Sequence, residues 1–103
     1  MNTDFKPYYA VIFTSTLVKP SEVYNAMAQR MAELSKQQPG FISMDSARSD
    51  VGITICYWES LEAIEHWKRN AEHREAQHRG ITEWYKYYNV RICKVEREYE
   101  FNR

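Results

Sequence analysis

The stretch ITICYWESLEAIEHW, residues 53–67, changes its period part-way along. ITICYWES, residues 53–60, is β-branched and aromatic, the composition of a strand. From there Leu61, Ile64, Trp67, Lys68 and Ala71 follow the spacing of one helical face. Ser60 sits at the junction, where its hydroxyl can cap the helix, and Glu62 and Ala63 follow in the first turn. A strand that passes directly into a capped helix is half of a βα unit, so the flanking sequence must supply the rest.

Upstream, YYAVIFTSTL (8–17) reads as a first strand, stopped by Lys19-Pro20. Ser21 caps a helix over residues 21–37, with Val23, Met27, Met31 and Leu34 on one face, Tyr24 and Ala28 beside them, and Glu22 at the positive end of the dipole. Gln38-Pro39-Gly40 ends that helix. FISMDSARS (41–49) is a weaker second strand, and Asp50-Val51-Gly52 turns it back onto the third as an antiparallel hairpin. Downstream, the helical period runs to about Trp84 or Tyr85. A break is expected near Asn70 and a kink or helix end near Gly80, since glycine inside a helix costs about 1 kcal/mol relative to alanine. NVRICKVEREYEF (89–101) is a long last strand. The order β-α-β-β-α-β predicts an α+β, ferredoxin-like domain over residues 1–103: a four-stranded antiparallel sheet with both helices on one face.

Both faces of these strands are apolar. Tyr9, Val11 and Phe13 point one way, Ala10 and Ile12 the other. Ile53, Ile55 and Tyr57 oppose Cys56 and Trp58. In the last strand the apolar phase shifts from Val90 and Ile92 to Cys93, Val95 and Tyr99, which predicts a bulge or two differently partnered halves. Helices can cover one face only. The second is expected to pack against another copy, giving a homodimer through sheet faces with the last strand reaching over the partner.

Composition narrows the function. Fourteen Lys and Arg balance 14 Asp and Glu, so there is no basic excess of the kind nucleic-acid binding needs. No apolar run approaches the ~20 residues of a membrane span, and MNTDFKPYYAVIF lacks the pattern of a signal peptide; a cytoplasmic location is expected. Cys56 and Cys93 have no metal spacing; they read as two reduced, buried thiols or as one disulfide between neighbouring strands. All three histidines, His66, His73 and His78, lie within residues 65–80. Two helical turns, some 10 Å, separate the first pair, and the five-residue step from His73 to His78 points them to different sides. No metal site is expected. His66 should face away from the inward Trp67, while His73 and His78 are candidates to enter a pocket as base or hydrogen-bond donor.

QQPGF (37–41) and the passage YWES-x-EAI-x-x-W within residues 53–99 resemble the antibiotic biosynthesis monooxygenase family, over roughly residues 8–99. The resemblance implies a dimeric α+β barrel with a pocket between sheet and helices in each subunit. It implies a cofactor-independent monooxygenase acting with O2 on a small aromatic, quinol-type substrate, with His73 and His78 as catalytic candidates and Trp67, Phe13, Ser15, Tyr57 and Trp84 around the ligand. Haem-degrading relatives imply an alternative, a haem-binding or non-catalytic ligand-binding dimer. In those relatives an Asn on the first strand, a Trp and a His serve the haem. Trp67 matches the Trp and His78 falls near the His, but the first strand offers Phe13, Thr14 or Ser15 in place of Asn.

Overall fold

The computed structural model describes residues 5–103. Strand β1 (Tyr8–Leu17) lies inside the sheet, between β3 (Gly52–Trp58) on one side and β4 (Tyr85–Val95) on the other; β2 (Phe41–Arg48) pairs with β3 at the far edge. Every pairing is antiparallel and the order is β2-β3-β1-β4, the ferredoxin-like topology. No helix among the described residues is long and apolar enough to cross a membrane.

The two capping serines act as read. Ser21 Oγ accepts from the Tyr24 N–H at 3.0 Å and starts α1 (Glu22–Ser35); Ser60 Oγ accepts from the Ala63 N–H at 3.0 Å and starts α2 (Leu61–Lys68). Between α1 and β2 the chain passes through Gly40, at φ +82°. A side chain there would be strained, and its Cβ would lie 2.5 Å from that of Ala63, so glycine is needed twice over. The Gly40 carbonyl also accepts from the Glu59 N–H at 2.8 Å, which pins this turn to the strand-to-helix junction.

The expected break at Asn70 is real. Its side chain accepts from the His73 N–H at 3.1 Å and starts a separate helix, α3 (Ala71–Arg79). A π-helical turn, Gly80–Trp84, then leads into β4. That strand departs from the sequence expectation at both ends. It begins at Tyr85, four residues before residue 89, because Leu17 pairs with Tyr85 and the Val18 N–H donates to the Trp84 carbonyl at 2.9 Å. It ends at Val95, short of 101, because Val95 already pairs with Tyr8, the first residue of β1. The bulge also lies elsewhere. It falls at Lys86, between the pairs Thr16–Tyr87 and Leu17–Tyr85, while Ile92 and Cys93 stand in regular register. The apolar phase changes there because β4 is apolar on both faces, with no slip in pairing.

Strand pairing fixes which side chains share a face. Tyr9, Val11, Phe13 and Ser15 lie beside Trp58, Cys56, Thr54 and Gly52 on the helix side. Ala10 and Ile12 lie beside Tyr57 and Ile55 on the opposite side. Cys56 and Cys93 pair with Val11 and Ala10 and so fall on opposite faces, in strands separated by β1; both are free thiols. Cys93 is exposed, against the expectation of two buried thiols, because its edge strand leaves that face open. Burial raises the pKa of the half-buried Cys56 to about 11.

Trp58 is completely buried and anchors the core with Ile64 and Trp67. Phe41 meets its ring edge-on at 5.5 Å, and Trp67 stacks on it at 6.3 Å. Truncating Trp58 to Ala should cost about 3–5 kcal/mol. Trp58→Phe should cost clearly less, because it keeps a ring and removes an indole N–H that has no acceptor among the described residues. Urea unfolding followed by circular dichroism checks both values and their order.

Candidate functional site

Three strands bring Ser15, Gly52 and Arg48 side by side at one end of the helix-facing surface. Gly52 has no side chain, and the Arg48 guanidinium occupies the place where its Cβ would stand. From there Arg48 donates to Ser15 Oγ, to the Ser15 carbonyl at 3.5 Å and to the Tyr24 hydroxyl at 3.3 Å. The guanidinium carbon lies 5.5 Å from the centre of the Tyr24 ring. Ser15 is fully buried and Tyr24 nearly so, while Arg48 itself remains exposed. The first turn of α1 carries Tyr24 to this point, and the β4 bulge carries Tyr85, whose hydroxyl donates to that of Tyr24 at 3.5 Å. Burial and this bond push the Tyr85 phenol well above its ordinary pKa, with Arg48 pulling in the opposite direction.

Aromatic rings continue the group. Phe13 lies between Tyr85, edge-on at 5.3 Å, and Tyr88, stacked at 5.7 Å. Trp84 is buried against the edge of Tyr24 at 5.5 Å, with the Arg79 guanidinium 4.9 Å over its ring. The helices stop short of β4, so the helix-side residues Tyr88, Val90 and Ile92 remain 43%, 48% and 52% exposed. They form an apolar shelf beside these rings.

A second group surrounds Trp67. His73 stacks on the Trp67 ring with centroids 4.2 Å apart and planes 10° from parallel. The helix break at Asn70 makes this possible: it turns the chain so that a residue six positions on lies over the indole. His73 Nδ1 is 3.1 Å from the Trp67 carbonyl oxygen. A carbonyl can only accept, so Nδ1 carries the proton and Nε2 keeps its lone pair. Burial lowers the His73 pKa; the bond to Trp67 only partly opposes it. The ring is therefore neutral and basic at Nε2 near pH 7.

The remaining predicted residues lie apart. Tyr57 is on the face away from the helices, donating to Asp45 at 3.2 Å and edge-on to Tyr8 at 5.8 Å, so it joins neither group. His78 is exposed. It follows His73 by five residues on α3, about 140° around the axis, so an inward His73 leaves it outward. His66 is exposed too. The space expected beneath Trp67 is filled by Trp58. An open cleft of about 410 Å³ lies instead at the other end of β1, lined by Lys6, Tyr9, Glu59, Ser60 and Lys94 among others. Among the described residues no group of three or more His, Cys, Asp or Glu side chains could hold a metal ion. Nor do the haem positions converge. Phe13 is held by Tyr85 and Tyr88, Trp67 by Trp58 and His73, and His78 faces solvent. These residues do not fit a haem.

Sequence reasoning missed Tyr24, Arg48 and Tyr85. Tyr24 was legible only as part of an apolar helix face, Arg48 as the end of a weak strand, and Tyr85 as one of an aromatic group with Trp84, Tyr87 and Tyr88 at the helix-to-strand junction, read as packing or dimer rim. A hint was available at Gly52, opposite Arg48 across the hairpin, where a missing side chain leaves room for a long one.

The antibiotic biosynthesis monooxygenase family model matches residues 10–79. This chain belongs to that family. It is 44% identical over 94 residues to the uncharacterized protein YqjZ of Bacillus subtilis (strain 168), covering 89% of this chain and 82% of that one. Its fold is shared by a variant of SnoaB, a cofactor-independent oxygenase from Streptomyces nogalater, at TM-score 0.78 and 11% identity, over 91% of this chain and 97% of that one. Protein SO0527 from Shewanella oneidensis superposes with TM-score 0.78 at 9% identity, over 88% and 93% of the two chains.

The lowered pKa of His73 has a consequence for stability. The unfolded chain takes up a proton as pH falls through about 6.5, the ordinary imidazole value, while the folded state resists until a lower pH. Stability should therefore be full above that value and decline as the medium is acidified below it. Urea midpoints for wild type and His73→Gln between pH 8 and pH 5 test this; the substitution should flatten the decline.

Proposed function

We propose that the protein is a cofactor-independent monooxygenase acting on a small, electron-rich aromatic of the phenol or hydroquinone type. Family membership supports the class of reaction, and the observation that carries the reading is the neutral His73 with its free Nε2 beside Trp67. His73 takes the hydroxyl proton of the substrate. The resulting anion passes one electron to O2, and the two radicals recombine at a ring carbon as a peroxide. Protonation gives a hydroperoxide, and loss of water leaves a carbonyl. One oxygen atom stays in the product and the other departs as water with the hydrogen of the attacked ring carbon; the substrate supplies all four electrons, two on forming the peroxide and two on losing that C–H bond. The exposed apolar shelf of Tyr88, Val90 and Ile92 beside Phe13 offers the contact area for such a ring.

Oxygen-electrode measurements on a panel of hydroquinones and naphthols test the reading. Wild type should consume O2, and kcat should fall by about 10²–10⁴ in His73→Gln. The wild-type rate should rise with pH and level off below the ordinary imidazole range, following the depressed His73 pKa. Unchanged turnover in His73→Gln removes His73 from the mechanism.

The working unit in this proposal is a homodimer. The sheet face away from the helices carries Ile12, Ile53, Ile55 and Tyr57, and Ile53 is 44% exposed. A second copy packed there shields that surface, each buried side chain adding about 1.5–3 kcal/mol. Light scattering at micromolar concentration should give twice the 12.4 kDa chain mass, falling to one chain mass in Ile12→Arg. A wild-type monomer overturns the dimer.

A further inference from the structure

The cluster around Arg48 is chemically one-sided. Its guanidinium has no carboxylate partner among the described residues; the ion pairs there are Arg30–Glu72 and Arg79–Glu83. Arg48 donates to Ser15 and Tyr24 through its two terminal nitrogens, and its Nε–H bonds to none of the described residues. The Tyr24 hydroxyl accepts from Arg48 and from Tyr85, and its own proton is committed to no acceptor among the described residues. The cluster thus carries donors that no acceptor among the described residues engages. The guanidinium is nonetheless held in place, by the vacancy at Gly52, by buried Ser15 and by the Tyr24 ring. Long exposed arginines ordinarily spread over many rotamers; fixing one in advance reduces what a ligand must spend on ordering it.

We propose that Arg48 and the Tyr24 hydroxyl form a binding site for the carboxylate of an aromatic acid. A planar guanidinium matches the two oxygens of a carboxylate. A single cation with one hydroxyl suits a monoanion better than a phosphate dianion. The aromatic part of the ligand follows from the neighbours: Tyr85 bonds to Tyr24 and touches Phe13, which stacks on Tyr88 at the start of the apolar shelf. An acid anchored at Arg48 would lay its ring system along these residues. For the fate of the ligand the inference rests on the oxygenase reading and makes its substrate an aryl carboxylate; for binding it rests on the Arg48 geometry.

Isothermal titration with 2-naphthoate, methyl 2-naphthoate and 2-naphthol at neutral pH tests it. None of these probes needs to react. Naphthoate should bind at least about tenfold more tightly than its ester or the naphthol, the lower end of what a charged hydrogen-bonded pair gives, because Arg48 is exposed. Arg48→Met should remove that advantage and leave the ester unchanged. Gly52→Ala should weaken naphthoate similarly with the charge retained, since the new methyl takes the space of the guanidinium. Tyr24→Phe, which deletes only a hydroxyl, should weaken it by a few fold and guards against a misfolded Arg48 variant. Equal affinity for acid and ester, undiminished naphthoate binding in Arg48→Met, or no naphthoate binding by wild type at millimolar concentration overturns the site. Preferred binding of naphthol would point to a phenolate anchor and also overturns it. The two readings fail separately: Arg48-dependent naphthoate binding without oxygen uptake on any hydroquinone removes the oxygenase alone. Uptake on carboxylate-free hydroquinones with no effect of Arg48 on naphthoate removes this site alone.

Discussion

Everything in the helix layer depends on the complete burial of Trp58. It is the last residue of β3, and two residues later Ser60 caps α2, so the same short passage supplies both the floor of the core and the entry to the roof. Trp67 comes back over Trp58 two turns into α2, and Phe41 closes the side, fixed by the Gly40 turn that Glu59 holds through its backbone. A ring of this size makes dozens of close contacts, each weak, whose sum sets the distance between sheet and helices. With Trp58 filling the space beneath Trp67, the exposed apolar surface beside the aromatic group lies along β4, where the helices do not reach.

The helices fail to reach β4, and the reason is local. The break at Asn70 divides one long helical period into α2 and α3, and the π-helical turn at Gly80–Trp84 ends the second. An unbroken helix would carry His73 off the Trp67 indole. The same turn swings Trp84 and Tyr85 towards Tyr24, and at Gly80 a Cβ would stand 2.5 Å from the Tyr85 ring. Two interruptions of regular structure thus create the two chemically distinctive groups. One holds a neutral imidazole against an indole. The other holds a guanidinium among hydroxyls and phenols.

Periodicity made the architecture readable, because burial on a sheet and on a helix imposes different repeats. The capping serines, the Asn70 break and the glycine stop at residue 80 were visible for the same reason: each is a short-range effect of one side chain on nearby backbone. The start of β4 was hidden, since Ile81, Trp84 and Tyr85 imitate helical spacing while the chain passes through a π-turn into a bulged strand. The Arg48 group was hidden by distance along the chain. Its hydrogen bonds join residues 24, 33 and 61 positions apart, and no local pattern encodes them. His73 was singled out for its chemistry, but its stacking and tautomer follow from a tertiary contact with Trp67. His78, equal to it as a motif, turns outward.

The β4 strand brings these constraints together. It is an edge strand that is apolar on its helix side through Val90 and Ile92, and it carries Cys93 and Val95 on the other. Such an edge invites uncontrolled pairing with other chains. The molecule blunts it with a bulge at Lys86 and with Arg91 and Lys94 along its length, which raise the cost of adding a strand without altering either face. The faces can then remain apolar. If apolar character served stability alone, exposing Tyr88, Val90 and Ile92 beside a half-covered sheet would be a poor arrangement, since their area is not removed from water on folding. Their exposure in the free chain accords with the proposed aromatic ligand, which would take that area out of water on binding.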